Sequence, residues 1–336
     1  MLIKNFLTVI FLVTVSTLFA QQKNDYKVVS TFHIQSGGGW DYIAVNGGKV
    51  YASHGTQVNI LDENTGDSLG VIPNTTGVHG IAFDNDLQRG YTSNGRLNNV
   101  TVFDLKTNAI ITQVPTGNNP DAIMFEPFTK YIVTNNGRSS SLSFIDPAQN
   151  KVVDTVALDG KPETGVSDGK GKLFVNIEDK SEIAVVDLKS FKVITNWPLT
   201  PGEGPSGLAI DVKTNRLFSA CSDSKLIVVM DATNGSVVAK LPIGEGCDGD
   251  AFDEKNKIIF ASTGRDGAIS VYKEKSANEY ESMGTIETKK GARTITIDQD
   301  NGALFLPTAE FGAPDPQNPR RTPMVPGTFQ VLKVSK

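Results

Sequence analysis

Val78-His79-Gly80-Ile81-Ala82-Phe83 and Pro120-Asp121-Ala122-Ile123-Met124-Phe125 are two copies of one short strand, and five more occur along the chain. The others are Trp40-Asp41-Tyr42-Ile43-Ala44-Val45, Pro162-Glu163-Thr164-Gly165-Val166-Ser167, Pro205-Ser206-Gly207-Leu208-Ala209-Ile210, Cys247-Asp248-Gly249-Asp250-Ala251-Phe252 and Ala292-Arg293-Thr294-Ile295-Thr296-Ile297. Their last residues fall at 45, 83, 125, 167, 210, 252 and 297, so the steps are 38, 42, 42, 43, 42 and 45 residues. A repeat of about 40 residues built from short strands is the mark of a propeller blade, a unit that buries its faces only against its neighbours. Seven copies predict an all-β, seven-bladed propeller of four-stranded blades, in one domain over residues 21–336.

Within the second repeat the strands are expected near 79–84, 89–94, 98–104 and 109–114. Asn99-Val100-Thr101-Val102-Phe103-Asp104 alternates with the period of a strand that has two distinct faces. Five of the seven third strands end in Asp before a turn: Asp62, Asp104, Asp146, Asp187 and Asp231. An Asp there accepts turn N–H groups, so these five read as structural. The last repeat runs out of chain after its third strand. Lys27-Val28-Val29-Ser30-Thr31-Phe32-His33-Ile34 is a strand with no earlier partner, so pairing it with 328–334 closes the ring and removes a free edge.

Residues 1–20 read as a cleavable signal peptide. Lys4 gives the positive end, Phe6 to Phe19 is mostly apolar, and Ala20 is a small residue at the cut. A membrane anchor is the alternative, but the run is short for a span. A periplasmic or secreted protein is expected. With 32 basic and 37 acidic residues well mixed, charge gives no support for nucleic-acid binding.

Tyr131-Ile132-Val133-Thr134-Asn135-Asn136-Gly137, followed by Ser143-Phe144-Ile145-Asp146 and Lys151-Val152-Val153-Asp154-Thr155-Val156, resembles the YVTN β-propeller repeat. Tyr91-Thr92-Ser93-Asn94 is a closer copy than Phe174-Val175-Asn176-Ile177 or Phe218-Ser219-Ala220-Cys221. The resemblance spans 28–334 and implies the fold. It does not choose among the surface-layer, binding and enzymatic roles of such propellers.

Strand direction places the second-to-third loops and the blade crossings on one face. The crossings deliver Asp41, His79, Asp121, Glu163, Ser206, Asp248 and Arg293, one per blade, to the channel mouth. Either these groups satisfy backbone and water at a polar opening, or they form a binding site on a rigid frame. A sharper version is a divalent metal held by His54, His79 and Asp121, since imidazole with carboxylate suits zinc, iron or manganese. No cofactor is otherwise expected. A Ser206–His79–Asp121 triad is disfavoured because Ser206 lies about three blades from His79.

Cys221 and Cys247 map to the same face of adjacent blades. In an oxidising compartment a disulfide is expected, worth about 3 kcal/mol, with two buried thiols as the alternative. Thr308 to Gly327 replaces a short loop with a segment holding five prolines. It is either a lid or an inert flap, and its Arg320 is a candidate anion contact. The reading is a monomeric, exported binding protein that takes a small molecule or an envelope partner at the mouth. Its candidate residues are Asp41, His54, His79, Asp121, Glu163, Asp248, Arg293 and Arg320. A metal-dependent lactonase- or lyase-like enzyme and a passive envelope scaffold are the alternatives.

Overall fold

A strand rich in Val and Phe with small polar residues between them needs apolar cover on both faces, and the fold supplies it. The computed structural model describes residues 24–313 and 322–336. Each repeat is one antiparallel four-stranded sheet, and the seven sheets form a seven-bladed propeller. In the second blade the strands are Val78–Asp84, Arg89–Asn94, Asn99–Asp104 and Ile110–Pro115. The alternation expected in Asn99–Asp104 is absent there, because Val100 to Phe103 are all buried. That strand lies mid-blade, packed between two neighbouring sheets. Alternation appears instead on outer strands such as Lys151–Ala157, where one face meets water.

Seven apolar clusters among the described residues fill the seven seams between blades. One example joins Tyr51, Val58 and Ile60 of blade one to Val78, Ile81 and Phe103 of blade two. The core is therefore a ring of seams around the axis, and each first strand lines the channel. The seventh sheet runs in the order Lys27–His33, Gln330–Ser335, Leu304–Thr308, Thr296–Ile297. Lys27 pairs with Ser335 and His33 with Gln330, so the N-terminal strand closes the ring as the sequence predicts. His33 is exposed at the rim.

The turn aspartates do what their position implies. Asp62 Oδ1 accepts the N–H groups of Asn64 and Thr65 at 2.9 Å each. Asp104 does the same for Lys106 and Thr107.

The disulfide expectation is overturned: Cys221 and Cys247 are buried free thiols. Cys221 packs into the seam between blades four and five, with Phe174, Leu199 and Leu208. Cys247 packs into the seam between blades five and six, with Phe218, Ile227 and Phe252. The sheet of blade five stands between the two side chains. Burial pushes the Cys221 thiol up to about 12 and that of Cys247 higher still. The signal-peptide segment and Arg320 lie outside the described residues.

Candidate functional site at the channel mouth

The crossings do converge. A polar side chain on one blade grips a main-chain carbonyl of the next blade at or beside its mouth residue. Thr294 Oγ1 donates to Asp41 O at 2.6 Å, Asn176 Nδ2 to Ser206 O at 3.3 Å and Ser206 Oγ to Cys247 O at 3.0 Å. Ser93 donates to Asp121 O, Asn135 to Glu163 O and Ser262 to Arg293 O. Six of the seven seams thus carry a clamp that fixes where the mouth side chains point. Ser93, Asn135, Asn176 and Ser262 come from the second strands. In sequence they are visible as a polar residue recurring at the fifth place of these mostly buried strands.

The site is asymmetric. His79 Nδ1 meets Asp41 Oδ2 at 2.6 Å and faces Asp121 Oδ1 at 3.6 Å. Arg293 Nε donates to Asp248 Oδ2 at 2.8 Å, and its terminal nitrogen donates to Trp40 O at 2.9 Å and reaches Asp41 Oδ1 at 3.4 Å. The guanidinium also lies over the Trp40 ring, 5.7 Å from its centre. Lys161 Nζ meets Glu163 Oε1 at 2.5 Å and also pairs with Glu178. Ser206 turns into the seam and is spent on the clamp.

Crowding of acids in a partly dry mouth shows in their titration. Burial, with the neighbouring Asp41 charge opposed by His79, pushes Asp121 up to about 6. Burial and the Asp121 charge push Glu163 up to about 8 against the pull of Lys161. Burial alone would lower the His79 pKa. Its bond to Asp41 and the charges of Asp121, Asp41 and Glu163 outweigh that and raise it. Tyr42, missed in the sequence reading, lines the channel just inside the mouth. Burial and then the charges of Asp121, Glu163, Asp41 and Asp248 hold its phenol well above the ordinary value.

His54 does not join this group. It is fully buried and stacks on Phe329 with ring centres 3.8 Å apart. Its Nε2 donates to Gly38 O at 2.7 Å, so Nδ1 accepts from Ser36 Oγ at 2.5 Å. Both nitrogens are committed, and burial lowers the ring's pKa. The three donors that do gather within 4.8 Å of one another are Asp41, His79 and Asp121.

Cavities open on this face. One of about 500 Å³ lies over blades one to three, with Asp41 and His79 at its base and Arg96, Arg138 and Arg293 around it. Another of about 710 Å³ lies beside blades six and seven, lined by Arg265, Lys290, Arg293 and Phe311 among others. Arg293 borders both. Arg96, Arg138 and Arg265 stand at matching places in three loops, Asn94-Gly95-Arg96, Asn136-Gly137-Arg138 and Thr263-Gly264-Arg265. That recurrence was the signal available in the sequence. The same face turns acidic over blades four and five, where Glu178, Asp179, Glu203 and Asp223 surround a third cavity. The described ends of the proline-rich segment meet at the bridge between Phe311 and Met324, and Phe311 packs on Trp40 at 6.0 Å.

A family model for YNCE-like β-propellers matches residues 68–306. The chain belongs to that family. No curated protein sequence matches it. Among solved structures, hydrazine synthase of Kuenenia stuttgartiensis aligns with a TM-score of 0.72 at 14% identity, covering 82% of this chain and 94% of that one. At that identity the likeness shows the fold alone. What this YNCE-like propeller binds therefore rests on its own side chains.

Proposed function

We propose that this YNCE-like propeller is an exported binding protein that captures a small oxyanion, a carboxylate or a phosphate, at the channel mouth. The observation that carries the reading is the pair Arg96 and Arg138 on the cavity of about 500 Å³. Both are exposed, and among the described residues neither guanidinium has an ion pair or hydrogen bond of its own. Fork-shaped donors held by neighbouring loops suit the oxygens of a carboxylate or phosphate, and Arg293 adds a third cation already oriented by Asp248. Export is supported by the leader-like residues 1–20.

The test is calorimetric titration of the purified protein with citrate and, separately, inorganic phosphate. Saturable 1:1 binding of one of them, weakened at least tenfold in Arg96→Gln/Arg138→Gln, supports the reading. Absence of binding to both, or equal binding by the double variant, rejects it and leaves the scaffold reading.

A further inference from the structure

We propose that Asp41, His79 and Asp121 hold one divalent first-row transition metal ion, of the zinc or manganese class, at the base of the arginine-lined cavity. The inference deepens the binding reading in one respect, since the ion would sit where a captured oxyanion could reach it. Metal binding itself stands on separate observations.

The first is the donor set. One imidazole nitrogen and two carboxylate oxygens from three consecutive blades lie within 4.8 Å of one another. Each comes from the crossing into its blade, and the carbonyls of Asp41 and Asp121 are clamped from the preceding blade. Nitrogen with carboxylate oxygen selects zinc, manganese or iron over calcium, which prefers oxygen ligands in larger number.

The second is Asp121. The residue is 9% exposed and its side chain 13%, it points at the same place, and its carboxylate has no hydrogen bond among the described residues. His79 Nδ1 can donate one proton, and Asp41 takes it at 2.6 Å, leaving Asp121 at 3.6 Å without a donor. With Asp41 alongside and no protein donor of its own, this carboxylate lies where a cation would be well placed. A cation between the three groups would serve both acids and the ring nitrogen together.

The third is how the ring is held. A methyl at Gly95 would lie 2.6 Å from His79 Nε2 and 2.8 Å from Cδ2, so only glycine lets the imidazole lie where it does. Gly95 is a positioning residue for His79. With a metal on Nδ1 the ring would carry its proton on Nε2. Three protein ligands leave coordination positions that ligand oxygens could fill, beneath Arg96 and Arg138.

The experiment uses the mature protein stripped with a chelator and titrated calorimetrically with ZnCl2, MnCl2 and CaCl2, with metal counted by elemental analysis after desalting. One zinc or manganese ion per chain with micromolar or tighter affinity is expected, with calcium at least 100-fold weaker. Asp121→Asn and His79→Gln should each weaken binding at least 30-fold while melting as cooperatively as the parent. His33→Gln, at the exposed rim, should leave it unchanged. No stoichiometric binding of zinc or manganese, or wild-type affinity in Asp121→Asn, would overturn the proposal. Citrate and phosphate titrations of the stripped protein separate the two ideas. Metal uptake without anion binding defeats the oxyanion reading alone, and anion binding without metal uptake defeats the metal alone.

Discussion

Asp250 in blade six sets its carboxylate against the backbone of Gly207 in blade five, where a methyl on Gly207 would lie 2.7 Å from Oδ1. Among the described residues neither carboxylate oxygen has a hydrogen-bond partner, and both are shielded from water. In five other blades the matching position is Ile43, Ile81, Ile123, Leu208 or Ile295. A carboxylate thus occupies a place the repeat keeps apolar.

Burial holds the Asp250 carboxyl well above the ordinary carboxylate range. With the folded value raised, its contribution to stability is full below about pH 4 and falls as pH rises from there through the folded value. Asp250→Asn keeps the shape and removes the charge. It should raise stability at pH 8 by about 1–3 kcal/mol and flatten the decline between pH 5 and 8. Thermal melts across that range decide the matter. A variant less stable at pH 8, or one whose profile runs parallel to the parent, would sink the account.

Ring closure depends on more than strand pairing. Phe329 stacks on His54 of blade one and on Trp40, whose ring centre is 5.7 Å away. Phe329→Ala should cost about 3–5 kcal/mol, the usual range for a buried ring. Amide exchange should quicken first in Lys27–His33 and Gln330–Ser335, the strands that close the seam. His54→Ala should destabilise through the same stack yet leave zinc affinity within twofold of the parent. A large loss of zinc binding in that variant would return His54 to the site.

The two thiols give a simpler outcome. Intact mass should be identical with and without reductant. Alkylation should reach Cys221 and Cys247 only after unfolding, because both are buried and their thiolates are disfavoured. The melting temperature should not respond to reductant. A native mass two hydrogen atoms short of the reduced protein would restore the bridge.

The fold was legible because a blade is a local unit: Tyr91-Thr92-Ser93-Asn94 and its relatives repeat at a step set by four strands. The convergence of Asp41, His79 and Asp121 followed from strand direction alone. The fate of His54 did not, because its partners Ser36, Gly38 and Phe329 come from the closing segments, which do not repeat. The cysteines misled for a related reason. Same face and adjacent blade fix the position of a Cα but not which seam a side chain enters, and one residue of strand register reverses it. Asp250 was hidden inside a strand copy whose other polar members face the channel.

On the opposite side of the ring, Lys257 Nζ meets Asp211 Oδ2 at 2.5 Å, joining blades six and five. Asp211 is only 2% exposed. Burial alone would raise its pKa, but the Lys257 contact and the N–H of Lys213 outweigh that and hold it at about 2. With the folded value depressed, the stabilisation is present above about pH 4 and is lost as pH falls through 2. Lys257→Met strands the carboxylate and should cost about 3–5 kcal/mol at pH 7. In that variant the acid has reason to stay protonated, so its deficit against the parent should narrow below pH 4. Adding Asp211→Asn to Lys257→Met should recover much of the loss at neutral pH, because the stranded Asp211 charge is removed and Glu274 beside it no longer faces a second acid. Denaturant melts of the parent and the two variants at pH 3 and pH 7 test this. A deficit equal at both pH values, or a double variant no better than Lys257→Met, would show that the pair is not what ties these two blades together.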